Sequence, residues 1–403
     1  MHANATPAVP SLIRELNERS VLETLRENGA LHAAEIARHI GLSKPTTADI
    51  LRSLIEAGLI KEYTPGEEDS RRARSVFEAV NDLKVSLAID IGSRFIRAAV
   101  GDLNEVMLAQ TSESVKSLEL KELVAVMHVA VNKVLKEAGY KLKDVASLVV
   151  GTPGVVDQHT GVVAIAGTIS ALDGINLAEL MQKEFGLVPA VENDINLVTV
   201  AEQAAGHGQG IDNFAVLSVG SGLGSGLVLN GKIHRGHRGA AGEIFYIPFG
   251  DPLDTHRDAT NPSGDRIAEI TRGLAKKFKG SVLQEPFSTV DILKAAKDGD
   301  LLAQEVVKLE AERIALYIAA ISAVTDVELV VLSGGIGRQA SFFLDPIKKL
   351  VGAVVPFPPR IEVSTLGDTG ILVGALNIAT AQSCEIVFHE MHKTSGHPLA
   401  GSM

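Results

Sequence analysis

The chain has 403 residues and 38 Lys and Arg against 49 Asp and Glu, with 46% hydrophobic residues; this suits two or three globular domains and excludes a disordered or fibrous protein. Its single cysteine, Cys384, excludes an internal disulfide and a thiolate-caged zinc, and no apolar run reaches the roughly 18 residues of a membrane span, so a cytoplasmic protein without a membrane partner is expected. A net charge of -11 argues against broad nonspecific binding to nucleic acid but leaves room for a local basic surface.

The N-terminal eighty residues read as three short helices and a two-stranded wing. Ser20-Val21-Leu22-Glu23 has the form of a capping box and predicts a helix start, with Gly29 as its stop. A second helix is expected over about 33–40, then a tight turn at Gly41-Leu42-Ser43. Ser43 suits an N-cap, and Pro45 is tolerated in the first turn of a third helix. That helix should reach about Ala57 and bury Ile50, Leu51, Leu54 and Ile55. A strand at Leu59–Tyr63, a turn at Thr64-Pro65-Gly66 and a return strand from Arg74 to Val80 follow.

Helix, short glycine turn, helix is the helix-turn-helix pattern, whose second helix enters the DNA major groove. Ser43, Lys44, Thr46, Thr47 and Arg52 are the expected DNA contacts on that helix, and Arg71, Arg72 and Arg74 those near the wing tip. The segment carries ten Lys and Arg against twelve Asp and Glu, which also suits a small helical domain that binds a protein. The placement of the cations favours DNA. So small a basic surface implies a dimer on a palindromic operator, with half-sites about 34 Å apart.

Beyond Asn81-Asp82 the period changes. Lys84–Gly92, Arg94–Asp102 and Glu105–Glu113 read as β-rich runs, and about 119–138 as a long amphipathic helix. A buried strand, Val145–Val150, ends in Gly151-Thr152-Pro153-Gly154. A glycine-rich hairpin at Asn213–Gly220 and Ser225–Asn230 precedes helices over about 264–279, 289–297 and 299–323. The strand Val327–Leu332 then ends in Ser333-Gly334-Gly335-Ile336-Gly337. Two such halves predict a bilobed α/β fold with a cleft between the lobes.

These motifs together resemble the ROK (repressor, open reading frame, kinase) family. The resemblance rests on the helix-turn-helix with Ala88-Ile89-Asp90-Ile91-Gly92, Thr152-Pro153-Gly154-Val155-Val156-Asp157, Glu192-Asn193-Asp194-Ile195-Asn196, Gly220-Ser221-Gly222-Leu223-Gly224-Ser225-Gly226 and Gly239-Ala240-Ala241-Gly242-Glu243-Ile244. It implies an N-terminal winged helix-turn-helix on a two-lobed, actin-like or hexokinase-like (ribonuclease H-like) ATPase fold. The expected divisions are 1–80, 81–205 and 206–403, with a C-terminal helix over 369–382 returning to the small lobe and a frayed tail over 383–403.

Asp194 matches the position of the family's catalytic base, although an Asp there also suits the N-cap of the helix that follows. The rest of a kinase site is altered. Where family kinases have Asp-x-Gly-Gly-Thr as their first phosphate turn, the chain reads Asp90-Ile91-Gly92-Ser93-Arg94. Phe245-Tyr246 replaces the Gly-His of the sugar motif, and residues 247–270 contain none of the zinc-binding cysteines. Neither a metal nor a cofactor is therefore expected. A sugar or sugar phosphate effector is expected, held by Asn193, Asp194, Glu243, Tyr246 and Asp265. The resulting expectation is a homodimeric or homotetrameric regulator of carbohydrate-related genes, its vestigial base Asp194 not catalytic. A sugar kinase carrying a DNA-binding domain and a ligand-blind regulator are the alternatives.

Overall fold

The computed structural model describes residues 10–64, 75–167, 169–220, 222–249, 261–339 and 344–394. The described residues open with helix α1 (Pro10–Asn28), strand β1 (Leu31–His32), helices α2 (Ala33–Ile40) and α3 (Lys44–Glu56), and strands β2 (Ile60–Tyr63) and β3 (Val76–Ala79). Ser20 lies in the middle of α1 and caps nothing, contrary to expectation. The Arg14–Glu18 and Glu15–Arg19 pairs, each four residues apart, support the helix through the turns preceding it. The Ser20 carbonyl accepts from Thr24 Oγ1 at 2.7 Å instead of starting a helix.

Gly41 ends α2 in the left-handed region at φ 69°, and Ser43 caps α3 by accepting from Thr46 N. The wing is a three-stranded antiparallel sheet in the order β1-β3-β2, one strand more than the sequence suggests. The short β1 has only two residues, too few to show a β period. Ile55, one turn after Leu51 at the edge of the buried face of α3, is exposed, contrary to expectation.

The small-lobe sheet contains β4 (Val85–Ile91), β5 (Phe95–Gly101), β6 (Met107–Ser114), β7 (Val145–Thr152) and β10 (Ala190–Asn193), in the order β10-β7-β4-β5-β6. Between its strands come α4 (Leu120–Ala138), the hairpin β8 (Val155–Val156) with β9 (Val163–Ala164), and α5 (Leu177–Phe185). β4 pairs parallel to β7 and antiparallel to β5. All seven β4 residues are buried, since α4 covers one face of the sheet and the chain's last helix the other.

Helix α6 (Asp194–Ala205) leads into the second lobe: β11 (Phe214–Val219), β12 (Leu223–Leu229), β13 (Lys232–Ile233), α7 (Gly264–Ala275), α8 (Thr289–Lys297), α9 (Leu301–Thr325), β14 (Leu329–Ser333), the single turn α10 (Gly334–Gly337), α11 (Leu344–Val354) and β15 (Arg360–Val363). Its sheet has the order β13-β12-β11-β14-β15. The helices α7, α8, α9 and α11 build the apolar core on one face, around Tyr317, Ile318 and Val330, while α6 supplies Ile195 and Val198 on the other.

Helix α12 closes the chain as one segment, Gly370–Thr394, twelve residues longer than the expected end at 382. The frayed tail is thus helical through Thr394, with His389 and His392 on it; His397 lies outside the described residues. Buried apolar surface on both halves of α12 drives this extension. The first half lies on the small-lobe sheet, and the second brings Val387 and Phe388 into the core of the winged domain. Among the described residues it is the one helix long and apolar enough to cross a membrane, but half of that stretch is buried inside the protein, as in a globular core helix.

Candidate functional site: a DNA-reading helix and an interlobe cleft

On the DNA-reading helix, Lys44, Thr46 and Arg52 are exposed. Ser43 is exposed too, but its Oγ is engaged, 3.3 Å from Thr46 N and 2.8 Å from Thr46 Oγ1. Thr47 departs from expectation: it is buried, and its hydroxyl donates to the Ser43 carbonyl at 3.1 Å. It shares its side of α3 with Ile50, Leu51 and Leu54, so it anchors the helix and does not face DNA. Arg52 is held by Asp49 at 3.2 Å, with both side chains largely in solvent. Ala48 is also exposed, between Lys44 and Arg52. The four-residue spacing 44, 48, 52 marks it, and a small apolar side chain there suits contact with a thymine methyl. Arg71, Arg72 and Arg74 lie outside the described residues.

The expected cleft residues Asp90, Asp194 and Glu243, from the end of β4, the residue after β10 and the segment after β13, come within electrostatic reach of one another. Asp90, at the carboxyl end of β4, is buried, and Arg97 on the neighbouring β5 donates to its Oδ2 at 3.0 Å. Burial outweighs the Arg97 charge and raises its pKa to about 6. Asp194 is pushed further, to about 7, by burial and then by the negative charges of Asp90 and Glu243. Burial raises Glu243 as well. Three carboxyls thus share one electrostatic site, and near neutral pH Asp194 is poised between donor and acceptor. Such a group can donate to, or accept from, the hydroxyls of a polyol.

Asn193, not Asp194, is the N-cap of α6. Its Oδ1 accepts from Ile195 N at 3.0 Å and Asn196 N at 3.4 Å, and its Nδ2 donates to the Gly154 carbonyl at 2.7 Å. Asp194 is the first helical residue, its Oδ1 accepting from Ile195 N at 2.7 Å. The helix start therefore does not need the Asp194 side chain as its cap.

Glu192 supports this arrangement and escaped the sequence reading. It is buried, accepts from Asn193 N at 3.1 Å and Asn196 Nδ2 at 2.8 Å, and receives Arg235 Nε at 2.5 Å. Arg235 precedes the loop that carries Glu243, so the ion pair holds that loop against the strand bearing Asn193. A partner forty-three residues away has no sequence signature.

The glycines divide by role. A Cβ on Gly226 would lie 1.9 Å from Thr199 Oγ1, and one on Gly242 1.7 Å from the Ser225 carbonyl, so both serve close packing. Gly222 and Gly335 face open space. At the first phosphate turn, Gly92 N donates to the Phe95 carbonyl at 3.1 Å, closing the hairpin, and Arg94 is exposed. Tyr246 is exposed on a 3-10 turn and meets Phe245 edge to face at 5.8 Å. This aromatic pair, without the cysteines, does not fit the family's zinc. Asp265 is the second residue of α7; its side chain lies outside the described set. A wide concavity elsewhere, lined by Asp212, Asn213, Glu328 and Phe357, holds none of the expected ligand residues.

Residues 86–382 match the ROK family and residues 14–61 a winged helix-turn-helix DNA-binding domain. The chain belongs to the ROK family. Among curated relatives, the xylose repressor of Caldicellulosiruptor bescii is 23% identical over 91% of this chain and 96% of its own length. The DNA-binding transcriptional dual regulator NagC of Escherichia coli is 24% identical over 84% and 85%. A solved ROK family transcriptional regulator, described as a homologue of the E. coli MLC protein, superposes with a TM-score of 0.78 at 23% identity, covering 94% of this chain and 99% of that one. A putative N-acetylmannosamine kinase from Listeria monocytogenes gives 0.63 at 24% identity, over 75% and 99%. The ROK fold here therefore carries a DNA-binding domain that makes the protein a transcriptional regulator.

Proposed function

We propose that the protein is a cytoplasmic repressor of carbohydrate-related genes whose operator affinity is set by a sugar or sugar phosphate in the interlobe cleft. What supports this reading is the electrostatic proximity of Asp90, Asp194 and Glu243 in a chain that also carries a winged helix-turn-helix. Carboxyls of raised proton affinity suit neutral hydroxyl groups, and Asn193 and Glu192 hold the frame around them. Closure of the lobes on the ligand alters the spacing of paired winged helices in a homodimer or homotetramer and weakens its hold on a palindromic operator. A ligand does this only through a difference in affinity between the open and closed states. On DNA, Lys44, Thr46 and Arg52, together with Arg71, Arg72 and Arg74, are the proposed contacts; Tyr246 and Asp265 are the proposed outer ligand contacts.

The test is a thermal-shift screen with D-xylose, N-acetylglucosamine and their phosphates, followed by DNA-binding titrations with a site selected from a random pool. A sugar that raises the midpoint and weakens DNA binding, with both effects lost in Asp194→Ala, is the expected result. If no sugar changes DNA affinity and Asp194→Ala behaves as the native protein, the reading fails.

One observation favours a sugar kinase: Asp194, at about 7, sits where a general base works best. The exposed Arg94 in the first phosphate turn and the engagement of Asp90 by Arg97 weigh against it. ADP release over the same sugars, abolished in Asp194→Asn, would establish the kinase.

A further inference from the structure

Helix α12 belongs to two structures at once. Its first turns lie against α6 and the small-lobe sheet, where Leu372, Ala375, Leu376 and Ala379 pack with Leu197, Ala88 and Val149. The approach to α6 is backbone to backbone: a Cβ on Gly374 would stand 1.9 Å from the Leu197 carbonyl oxygen. Next comes a buried polar girdle. Ser86 Oγ on β4 donates to Ser383 Oγ at 2.9 Å, and Ser147 Oγ on β7 to Gln382 Oε1 at 2.6 Å.

The last turns leave the lobe. Val387 and Phe388 complete the core of the winged domain, and Met391 reaches Gly58 just after α3. His392 lies 2.9 Å from Glu18 on α1, with both side chains buried. The carboxylate of Glu18 also takes a hydrogen bond from Ser53 on the DNA-reading helix. Arg19 pairs with Glu385 and lies over the Phe388 ring at 4.4 Å.

We propose that α12 is a rigid rod that transmits the position of α6, whose first turn forms the ligand cleft, to the DNA-reading helix. This rests on the ligand reading above and names the regulation of that site. Twenty-five residues at 1.5 Å each make a rod of about 37 Å, with no break between Gly370 and Thr394. At one end the Gly374–Leu197 contact leaves no slack, so α6 cannot move against the sheet without moving α12. At the other end the Glu18 carboxylate joins α12 to both α1 and α3. An aqueous gap at either end would absorb the motion; packed, hydrogen-bonded interfaces pass it on.

The test is Gly374→Ala in the full chain, read by hydrogen exchange without ligand or DNA. The added methyl pushes α12 off α6. Faster exchange should appear at residues 194–200 and, beyond the sheet, at 15–25 and 384–393. Change confined to the surroundings of residue 374 overturns the proposal whether or not any sugar binds. The second reading uses D-xylose and N-acetylglucosamine with the selected DNA. If a sugar shifts the native midpoint, the native change in DNA affinity, about 5- to 150-fold for ordinary allosteric coupling, should collapse toward none in Gly374→Ala while the midpoint shift persists. A variant that binds the sugar and retains the full change overturns the rod. If neither sugar binds, the ligand reading is what fails, and the exchange result still decides the rod. Should Gly374→Ala not fold, Glu18→Gln combined with His392→Gln disconnects the far end. Native sugar binding with lost DNA response, or accelerated exchange in both α1 and the end of α12, supports the proposal, and neither effect overturns it.

Discussion

Replacing Phe388 by Ala tests whether the end of α12 is part of the DNA-binding domain. Phe388 is 2% exposed, sits in the core formed by Val21, Leu25, Ile50, Leu54 and Phe77, and stacks on His392 at 4.3 Å between ring centres. Removing a buried phenylalanine costs about 3–5 kcal/mol. Loss of the Arg19 contact to the ring adds about 0.5–1 kcal/mol. The expected total, roughly 5 kcal/mol, compares with the whole stability of a small domain, about 5 kcal/mol at the low end. Urea unfolding followed by circular dichroism, with exchange protection of α1–α3 measured in parallel, should show the winged domain melting ahead of the ROK domain. DNA binding should fall by orders of magnitude while thermal shifts caused by cleft ligands persist. A loss below about 1 kcal/mol, or unchanged protection of α1–α3, would refute the shared core.

The Glu18–His392 pair gives a pH signature. Burial opposes the imidazolium, but the bonds to Glu18 and the Phe388 carbonyl win and raise the His392 pKa; Glu18 resists its own burial through His392, Ser53 and Arg14 and is lowered. The histidine's contribution is complete below its ordinary 6.5 and is lost as pH rises through the raised value, while that of Glu18 is present above 4.5 and is lost as pH falls through the lowered one. With Glu15, Arg14 and Arg19 nearby on α1, winged-domain stability should therefore peak between about pH 4.5 and 6.5, and His392→Gln should flatten the alkaline limb in a melting series. Asp194→Asn relieves like-charge crowding with Asp90 and Glu243; at pH 7.5 it should raise the melting point by a few degrees, roughly 1 kcal/mol, while abolishing sugar binding measured by calorimetry. Thr47→Ala should cost about 1–2 kcal/mol of stability, whereas Lys44→Ala should leave melting unchanged and lower the salt slope of DNA binding by about one. Gly226→Ala, which drives a methyl into Thr199, should destabilise the large lobe by about 1–3 kcal/mol or more in chemical denaturation; unchanged stability would refute the packing role.

Much of this was legible because it is local. The α2–turn–α3 unit follows from Gly41, Ser43 and Pro45, whose backbone preferences act over three or four residues, and β4 and β7 follow from unbroken apolar runs. The error at Ser20 has the same origin: a capping signature says where a helix can start, and the ion pairs upstream decided that it had already begun. Thr47 departs from the expectation because helical phase, which sets it beside Ile50 and Leu54, outweighs its hydroxyl chemistry. The carboxyls Asp90, Asp194 and Glu243 were placed in one cleft by motif resemblance, but their mutual effect on proton affinity depends on distances no spacing encodes. The same holds for Glu192 with Arg235.

By itself the sequence determined a DNA-reading helix, two α/β lobes and the loss of the zinc cysteines, since each depends on residue type and local period. Only the tertiary structure decided where residues 384–394 belong. His389 and His392 resemble part of a frayed end until Arg19 and Glu18 are brought beside them. Burial against those partners then makes a helix of the tail and binds it into the domain that reads DNA.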